Sequence, residues 1–425
     1  MTLDPGTEAL ARLAEERVDH RFKGLPPDAE GLTVGELAAQ RRNLFSDGFA
    51  TPVLALSAER LEHNLALMET YAARHGLAFA PHGKTSMAPQ LFQRQVEHGA
   101  WGITLAVPHQ VRVARAFGTR RVFLANELVD APALRWIAAE LERDADFRFV
   151  CYVDSVRGVG LMDAALKGTS RPVDVVVELA AGEGARTGVR TEAECAAVAD
   201  AVAGTETLRL VGVAGYEGEV PQADPDRVHA YLRRLVALAV EFDGAGRFAG
   251  TDEIVVSAGG SAWFDAVADV FATVPELSRP VLKLLRSGAY VSHDDGHYRE
   301  ITPFNRVPGE GALEPAFRLW AQVVSRPSPE QAFANAGKRD AAYDLHLPFA
   351  QVVRREGGER PATGIEVTGL SDQHTWLRTA PGADLEVGDW VGLGLSHPCT
   401  SFDKWQLIPV AEADGTVVDY IRTYF

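Results

Sequence analysis

Three short stretches of this 425-residue chain carry side chains whose types and spacing suit chemistry. The first is Pro81-His82-Gly83-Lys84-Thr85. A lysine that follows a short apolar run can present its amine at the end of a strand, and partial desolvation turns such an amine into a nucleophile toward a carbonyl. The plain alternative is a surface lysine. The chain has six lysines against thirty-six arginines, an imbalance that coding bias explains but that makes a lysine inside such a motif stand out. The second stretch is Ser257-Ala258-Gly259-Gly260-Ser261, followed by Arg286-Ser287-Gly288-Ala289-Tyr290. Paired glycines let backbone N–H groups approach an anion closely, and Ser257 and Ser261 add hydroxyl donors. A tight strand-to-helix turn with Ser261 as its N-cap reads the same way. The third is Ser396-His397-Pro398-Cys399-Thr400. Imidazole and thiolate at i and i+2 suit a borderline-soft divalent ion such as Zn²⁺ at an open site, with His82 or His374 as further partners. A histidine–cysteine pair in a core or loop is the ordinary reading.

These residues need elements to hold them. Short apolar runs at Leu77–Ala80, Gly102–Leu105, Arg121–Leu124, Phe147–Val153, Val173–Leu179, Leu208–Val213, Glu253–Ser257 and Val281–Leu285 alternate with amphipathic helical stretches. An earlier run, Pro52–Leu56, leads into a helical pattern at Ala58–His75. The alternation predicts an α/β (β/α)8 TIM barrel over residues 48–304, with a doubly wound open sheet as the alternative. After residue 305 the texture changes to strand-like runs joined by Gly, Pro and Asp turns, which predicts an antiparallel β domain over 305–425 carrying the metal pair. Residues 1–47 read as an N-terminal arm packing on that β domain.

In a barrel, function gathers after the C-terminal ends of the strands. Lys84 follows the first strand. The Gly-rich segments 257–261 and 286–288, with Ser287 and Gly288, follow the seventh and eighth, where barrels often bind phosphate. An amine at one side of a rim and an anion cradle at the other match the two ends of pyridoxal 5′-phosphate (PLP). Arg186 and Tyr216, after central strands, are candidates to flank its ring, while Arg186 paired with a rim carboxylate such as Glu183 is the simpler alternative. The Asp294-Asp295 pair reads as a solvated loop.

The formal net charge of −16 argues against nucleic-acid or anionic-membrane partners. Cys151, Cys195 and Cys399 are far apart and odd in number, so no disulfide framework is expected and a reducing cytoplasm is the simplest compartment. No apolar run is long enough for a membrane span, and residues 1–22 lack a signal-peptide core.

Taken in order, Pro81–Thr85, Arg186-Thr187-Gly188, Gly215-Tyr216-Glu217-Gly218, Ser257–Ser261, Arg286–Tyr290, Asp372-Gln373-His374 and His397-Pro398-Cys399 resemble the D-serine dehydratase and D-threonine aldolase group of fold-type III PLP enzymes. This group has the alanine racemase-like fold, and the chain is most similar to its bacterial amino acid deaminases. The resemblance runs from about residue 48 to the C-terminus. It implies a PLP barrel with a β domain, usually a homodimer, acting on a small D-amino acid. It implies Lys84 as the Schiff-base lysine, Ser257–Ser261 as the phosphate site, Tyr216 near the ring, and His397 and Cys399 as the metal pair. In aldolases of the group the second ligand is commonly Asp, with manganese; in the dehydratases it is commonly Cys, with zinc. Cys399 therefore points to Zn²⁺ (alternatively Mn²⁺ or another divalent metal) and to a lyase that turns a D-3-hydroxy amino acid such as D-serine into a 2-oxo acid and ammonia. The alternative is retro-aldol cleavage to glycine and an aldehyde, with His82 as a base. A PLP carrier without turnover would need only the barrel, and a racemase would need a second base that no motif supplies.

Overall fold

The computed structural model describes residues 5–356 and 358–425. The chain divides into two compact units. One comprises residues up to Leu67, Thr85–Arg94 and Ala289–Phe425; the other comprises Met68–Lys84 and Gln95–Gly288.

The second unit is the barrel. A short strand, β1 (Val53–Ser57), precedes it in the chain, and eight strands then follow: β2 (Ala78–Phe79), β3 (Ile103–Leu105), β4 (Arg121–Glu127), β5 (Arg148–Val153), β6 (Val173–Leu179), β7 (Leu208–Gly215), β8 (Ile254–Ala258) and β9 (Val281–Leu285). They pair in the order β2-β9-β8-β7-β6-β5-β4-β3, every pair parallel. The two ends of this sheet meet: Trp101 N donates to Phe79 O at 2.7 Å, Thr104 N donates to Pro81 O at 2.9 Å, and His82 forms a parallel bridge with Thr104. The barrel expected from the alternation is therefore what forms, and the open sheet is excluded.

Its strands read as mostly apolar runs because both faces are covered. All seven residues of β6 are buried. The inside is filled by Ala80, Phe123, Val150, Tyr152, Val176, Val211 and Val255. Gly212 shows how tightly the wall is drawn, since a Cβ there would lie 1.9 Å from Val255 O. Outer helices start where a side chain can accept the third helical N–H: Asp130, Ser155, Thr191 and Asp224 are N-caps of this kind.

The first unit contains the antiparallel β domain. Its strands are β1, β10 (Phe317–Ser328), β11 (Gln331–Ala334), β12 (Phe349–Arg355), β13 (Gly358–Pro361), β14 (Ile365–Leu370), β15 (Thr375–Thr379), β16 (Trp390–Gly394), β17 (Leu407–Ala411) and β18 (Val417–Arg422). The order is β13-β12-β16-β10-β1-β17-β18, with β11 on β10 and β15, and β14 on β15. Val18, Phe22, Leu37 and Leu44 share one core with Val53, Trp320, Leu407 and Tyr420. β1 falls inside the stretch 48–304 that the alternation assigns to the barrel, yet it pairs antiparallel with β10 and parallel with β17. A short strand buried on both faces looks alike from sequence whichever sheet receives it. Among the described residues no helix is long and apolar enough to cross a membrane.

Candidate active site

At the barrel mouth, Lys84 lies in a short 3₁₀ turn, Gly83–Thr85, just beyond the segment that closes the sheet. His82, at that closure, is held well below the usual imidazole pKa by burial and by the neighbouring Lys84 and Arg286 charges, and is neutral. Gly288 lets the last loop come against it, since a Cβ on Gly288 would meet His82 O at 2.6 Å.

The Gly-rich loop is an anion nest. Gly259 N and Gly260 N donate to the two carboxylate oxygens of Glu217 at 2.9 and 2.5 Å. Gly259 has φ 110, a backbone that favours glycine. Glu217 is 0% exposed, and burial raises its pKa against the opposing pull of these hydrogen bonds. The Tyr216 ring covers the loop, so a Cβ on Gly260 would lie 2.6 Å from Tyr216 Cε2. Tyr216 N donates to Tyr231 Oη at 3.0 Å, and Tyr231 Oη donates to Leu179 O at 2.6 Å. Ser287 Oγ donates to Gly260 O at 2.9 Å, which ties the eighth loop to the seventh. Ser257 Oγ instead donates to Leu284 O at 2.9 Å within the wall, so its hydroxyl proton serves the barrel.

The two sequence candidates for the ring differ in setting. Arg186 has a side chain 74% exposed and bonds Glu219, rather than the Glu183 suggested by proximity. Its guanidinium is 5.8 Å from the Tyr216 ring centre. The arginine of the barrel interior is Arg286. It donates to Tyr152 Oη and Gly215 O, and desolvation lowers its pKa to about 9.

Sequence reasoning also missed a carboxylate pair. Glu127 ends β4 and Glu178 lies near the end of β6. Burial, then the Glu127 charge, pushes Glu178 up to about 9, and Glu127 is raised too, so the pair holds a proton. The available signal was an acid closing an otherwise apolar strand run.

PLP fits these residues. His82 Nδ1 and Arg286 Nε are buried without hydrogen-bond partners, and such atoms are costly unless a ligand or water meets them. Lys84 would take its aldehyde, while the Gly259 and Gly260 N–H groups expected to meet its phosphate are held by the Glu217 carboxylate, which would have to give them up.

In the other unit, His397 and Cys399 sit in the turn after β16, with Cys399 opening the helical turn Cys399–Phe402. Cys399 Sγ donates to Thr85 Oγ1 at 3.5 Å. His397 Nδ1 is 2.5 Å from Asp344 Oδ2, and Asp344 Oδ1 accepts from Thr400 Oγ1 at 2.9 Å. Cys399 first, then Asp344, raises His397 to about 9. Asp294 is 0% exposed, which corrects the solvated-loop reading. It accepts from His397 N at 2.8 Å and from Gly296, Tyr298 and Arg299 N–H groups. His374 belongs to the β14–β15 turn, its ring 6.4 Å from Phe333.

Among the described residues, no group of three or more His, Cys, Asp or Glu side chains is arranged to hold a metal ion. The donor set still fits an open site. Imidazole and thiol lie two residues apart in one turn, an arrangement that a divalent ion can use with water or substrate as the remaining ligands.

A model of the alanine racemase N-terminal domain matches residues 56–273, more than half of the chain. The chain belongs to the alanine racemase-like family. A serine dehydratase domain model matches residues 316–411, so this family member carries a D-serine dehydratase-like β domain on a fold-type III barrel. It is 28% identical to a D-threonine aldolase of Arthrobacter sp. over 87% of this chain and 90% of that one. It is 25% identical to a D-threo-3-hydroxyaspartate dehydratase of Delftia sp. over 88% and 97%. Among solved structures it resembles a D-threo-3-hydroxyaspartate dehydratase carrying a cysteine-to-alanine substitution, in the metal-free form. That likeness has a TM-score of 0.70 and 22% identity, over 90% of this chain and 99% of that one.

Proposed function

We propose that this chain is a PLP- and metal-dependent lyase that dehydrates and deaminates a D-3-hydroxy amino acid such as D-serine. The observation that carries the reading is the His397–Cys399 pair in one turn, whose second member is a thiol where aldolases of the family commonly have a carboxylate.

When bound, PLP would withdraw electrons from the substrate Cα. Zn²⁺ on His397 and Cys399 would act as a Lewis acid on the β-hydroxyl. Lys84 would hold the cofactor's aldehyde, and its Nζ, when free, would take the Cα proton. His82 beside it keeps an unpartnered Nδ1, though burial and the Lys84 and Arg286 charges make it a weak base. The Cα–H and Cβ–O bonds break, one water leaves and one is taken up, and D-serine becomes pyruvate and ammonia.

The match to an Arthrobacter aldolase favours a second reading. There His82 takes the β-hydroxyl proton and Cα–Cβ breaks, giving glycine and an aldehyde. Incubation with D-threonine, PLP and zinc separates the two. 2-Oxobutanoate without glycine supports dehydration. Glycine with acetaldehyde replaces it with the aldolase reading, and failure to turn over D-threonine, D-serine or D-threo-3-hydroxyaspartate rejects both.

A further inference from the structure

The proposed reaction assigns tasks to His397 and Cys399 and none to Asp344. Asp344 lies in the long connection between β11 and β12, 53 residues before the histidine it meets. Both of its oxygens engage the same turn: Oδ2 approaches His397 Nδ1 at 2.5 Å, and Oδ1 accepts from Thr400 Oγ1 at 2.9 Å. An ionised carboxylate only accepts, so Nδ1 carries a proton, and when a cation displaces the other ring proton the lone pair it meets is on Nε2. The backbone is fixed from the other side. His397 N donates to the buried Asp294 at 2.8 Å, and His397 sits at φ 56, a left-handed conformation that a non-glycine residue adopts only when its surroundings hold it there.

We infer that Asp344 is a positioning residue of the metal site: it orients the His397 ring through Nδ1 and presents Nε2 to a divalent cation. The inference rests on the metal-dependent reading above. The competing assignment makes Asp344 a direct ligand. Against it, both carboxylate oxygens already hold the turn, and among the described residues no three such side chains are arranged around one ion. A carboxylate behind a ligating histidine fixes its tautomer and raises its basicity, and losing one typically weakens metal binding about 10–100-fold.

The test uses PLP-loaded protein stripped of metal and titrated with Co²⁺ alone, read by the thiolate-to-cobalt absorbance and by chelator competition. Asp344→Ala is expected to bind one cobalt per chain with the thiolate band retained and with affinity about 10–100-fold weaker. Asp344→Asn, whose amide oxygen still accepts from Nδ1, should fall between Asp344→Ala and the parent; it remains informative if the alanine variant does not fold. An unchanged PLP band in each variant shows that the barrel is intact. Unchanged cobalt affinity in both variants overturns the inference. Loss of stoichiometric binding with an altered cobalt spectrum overturns it in favour of a direct ligand. If the parent protein binds no cobalt, the metal-dependent reading itself fails and this inference falls with it. If the parent binds and the variants match it, only the inference fails.

Discussion

At the barrel mouth, polar atoms are left over. His82 Nδ1 and Arg286 Nε are buried without partners, and the Glu127–Glu178 pair keeps a proton there. In the His397 turn, the imidazole Nδ1, the His397 amide, the Thr400 hydroxyl and both Asp344 oxygens all have protein partners. The mouth is built to be completed by a large group that brings its own donors and acceptors. The turn is organised in advance and offers one small position. In the first, the protein tolerates buried desolvation until a ligand arrives; in the second, it meets the cost of order beforehand through backbone strain and a fixed tautomer.

The contrast can be broken or sharpened by substitution. The largest effect is expected at Lys84. Lys84→Ala should remove the absorbance band of lysine-bound PLP and lower turnover by roughly 10⁴-fold or more, because nucleophile and base are lost together. A normal band in that variant would end the assignment. Cys399→Ala comes next: metal content measured by mass spectrometry should fall to background and turnover by about 10²–10³-fold, the size of a lost Lewis acid, while the PLP band stays. Arg286→Met should weaken PLP binding by about tenfold in a fluorescence titration, as loss of a charge-assisted hydrogen bond would. The melting temperature of its cofactor-free form should hold, since a buried charge replaced by an apolar chain is often neutral. A large loss of stability with unchanged PLP affinity would make Arg286 a strut of the wall.

The smallest effect is a slope. Glu178 is raised in the folded chain from 4.5 to about 9, so the folded state keeps a proton that the unfolded state releases. Its contribution to stability is full below 4.5 and is lost as pH climbs from there through about 9. Glu178→Gln should flatten the fall in cofactor-free stability over that range, measured by urea unfolding at a series of pH values.

What could be read from sequence follows the reach of each signal. The barrel strands were legible because parallel strands buried on both faces make short Val- and Leu-rich runs, as β6 does. β1 has the same texture, and nothing local says that its partners are β10 and β17. Lys84, the Gly259–Gly260 pair and the His397–Cys399 turn were visible because each is contiguous. Asp344 was not, since a loop residue 53 positions from its histidine leaves no spacing to notice. Asp294-Asp295 was visible but misread, because two acids beside glycine look like surface until His397 N and three further amides are found to converge on Asp294. Arg286 stands out in the sequence only as part of its motif, and its burial depends on how the eighth strand enters the wall.

Neither compact unit is a continuous stretch of chain. The polypeptide passes from one to the other after Leu67, Lys84, Arg94 and Gly288, and two family models that meet the sequence as successive modules do not register this. One of these passages falls at the peptide bond following Lys84. A gene fragment carrying residues 95–288 alone would omit β2, the strand that closes the barrel, along with the lysine. A fragment beginning at 289 would omit β1, which lies between β10 and β17 in the other sheet. Such a chain cannot exchange its halves by simple recombination. Its two constellations are inherited together, so a duplicated copy has to diversify by point substitution around sites it cannot trade away.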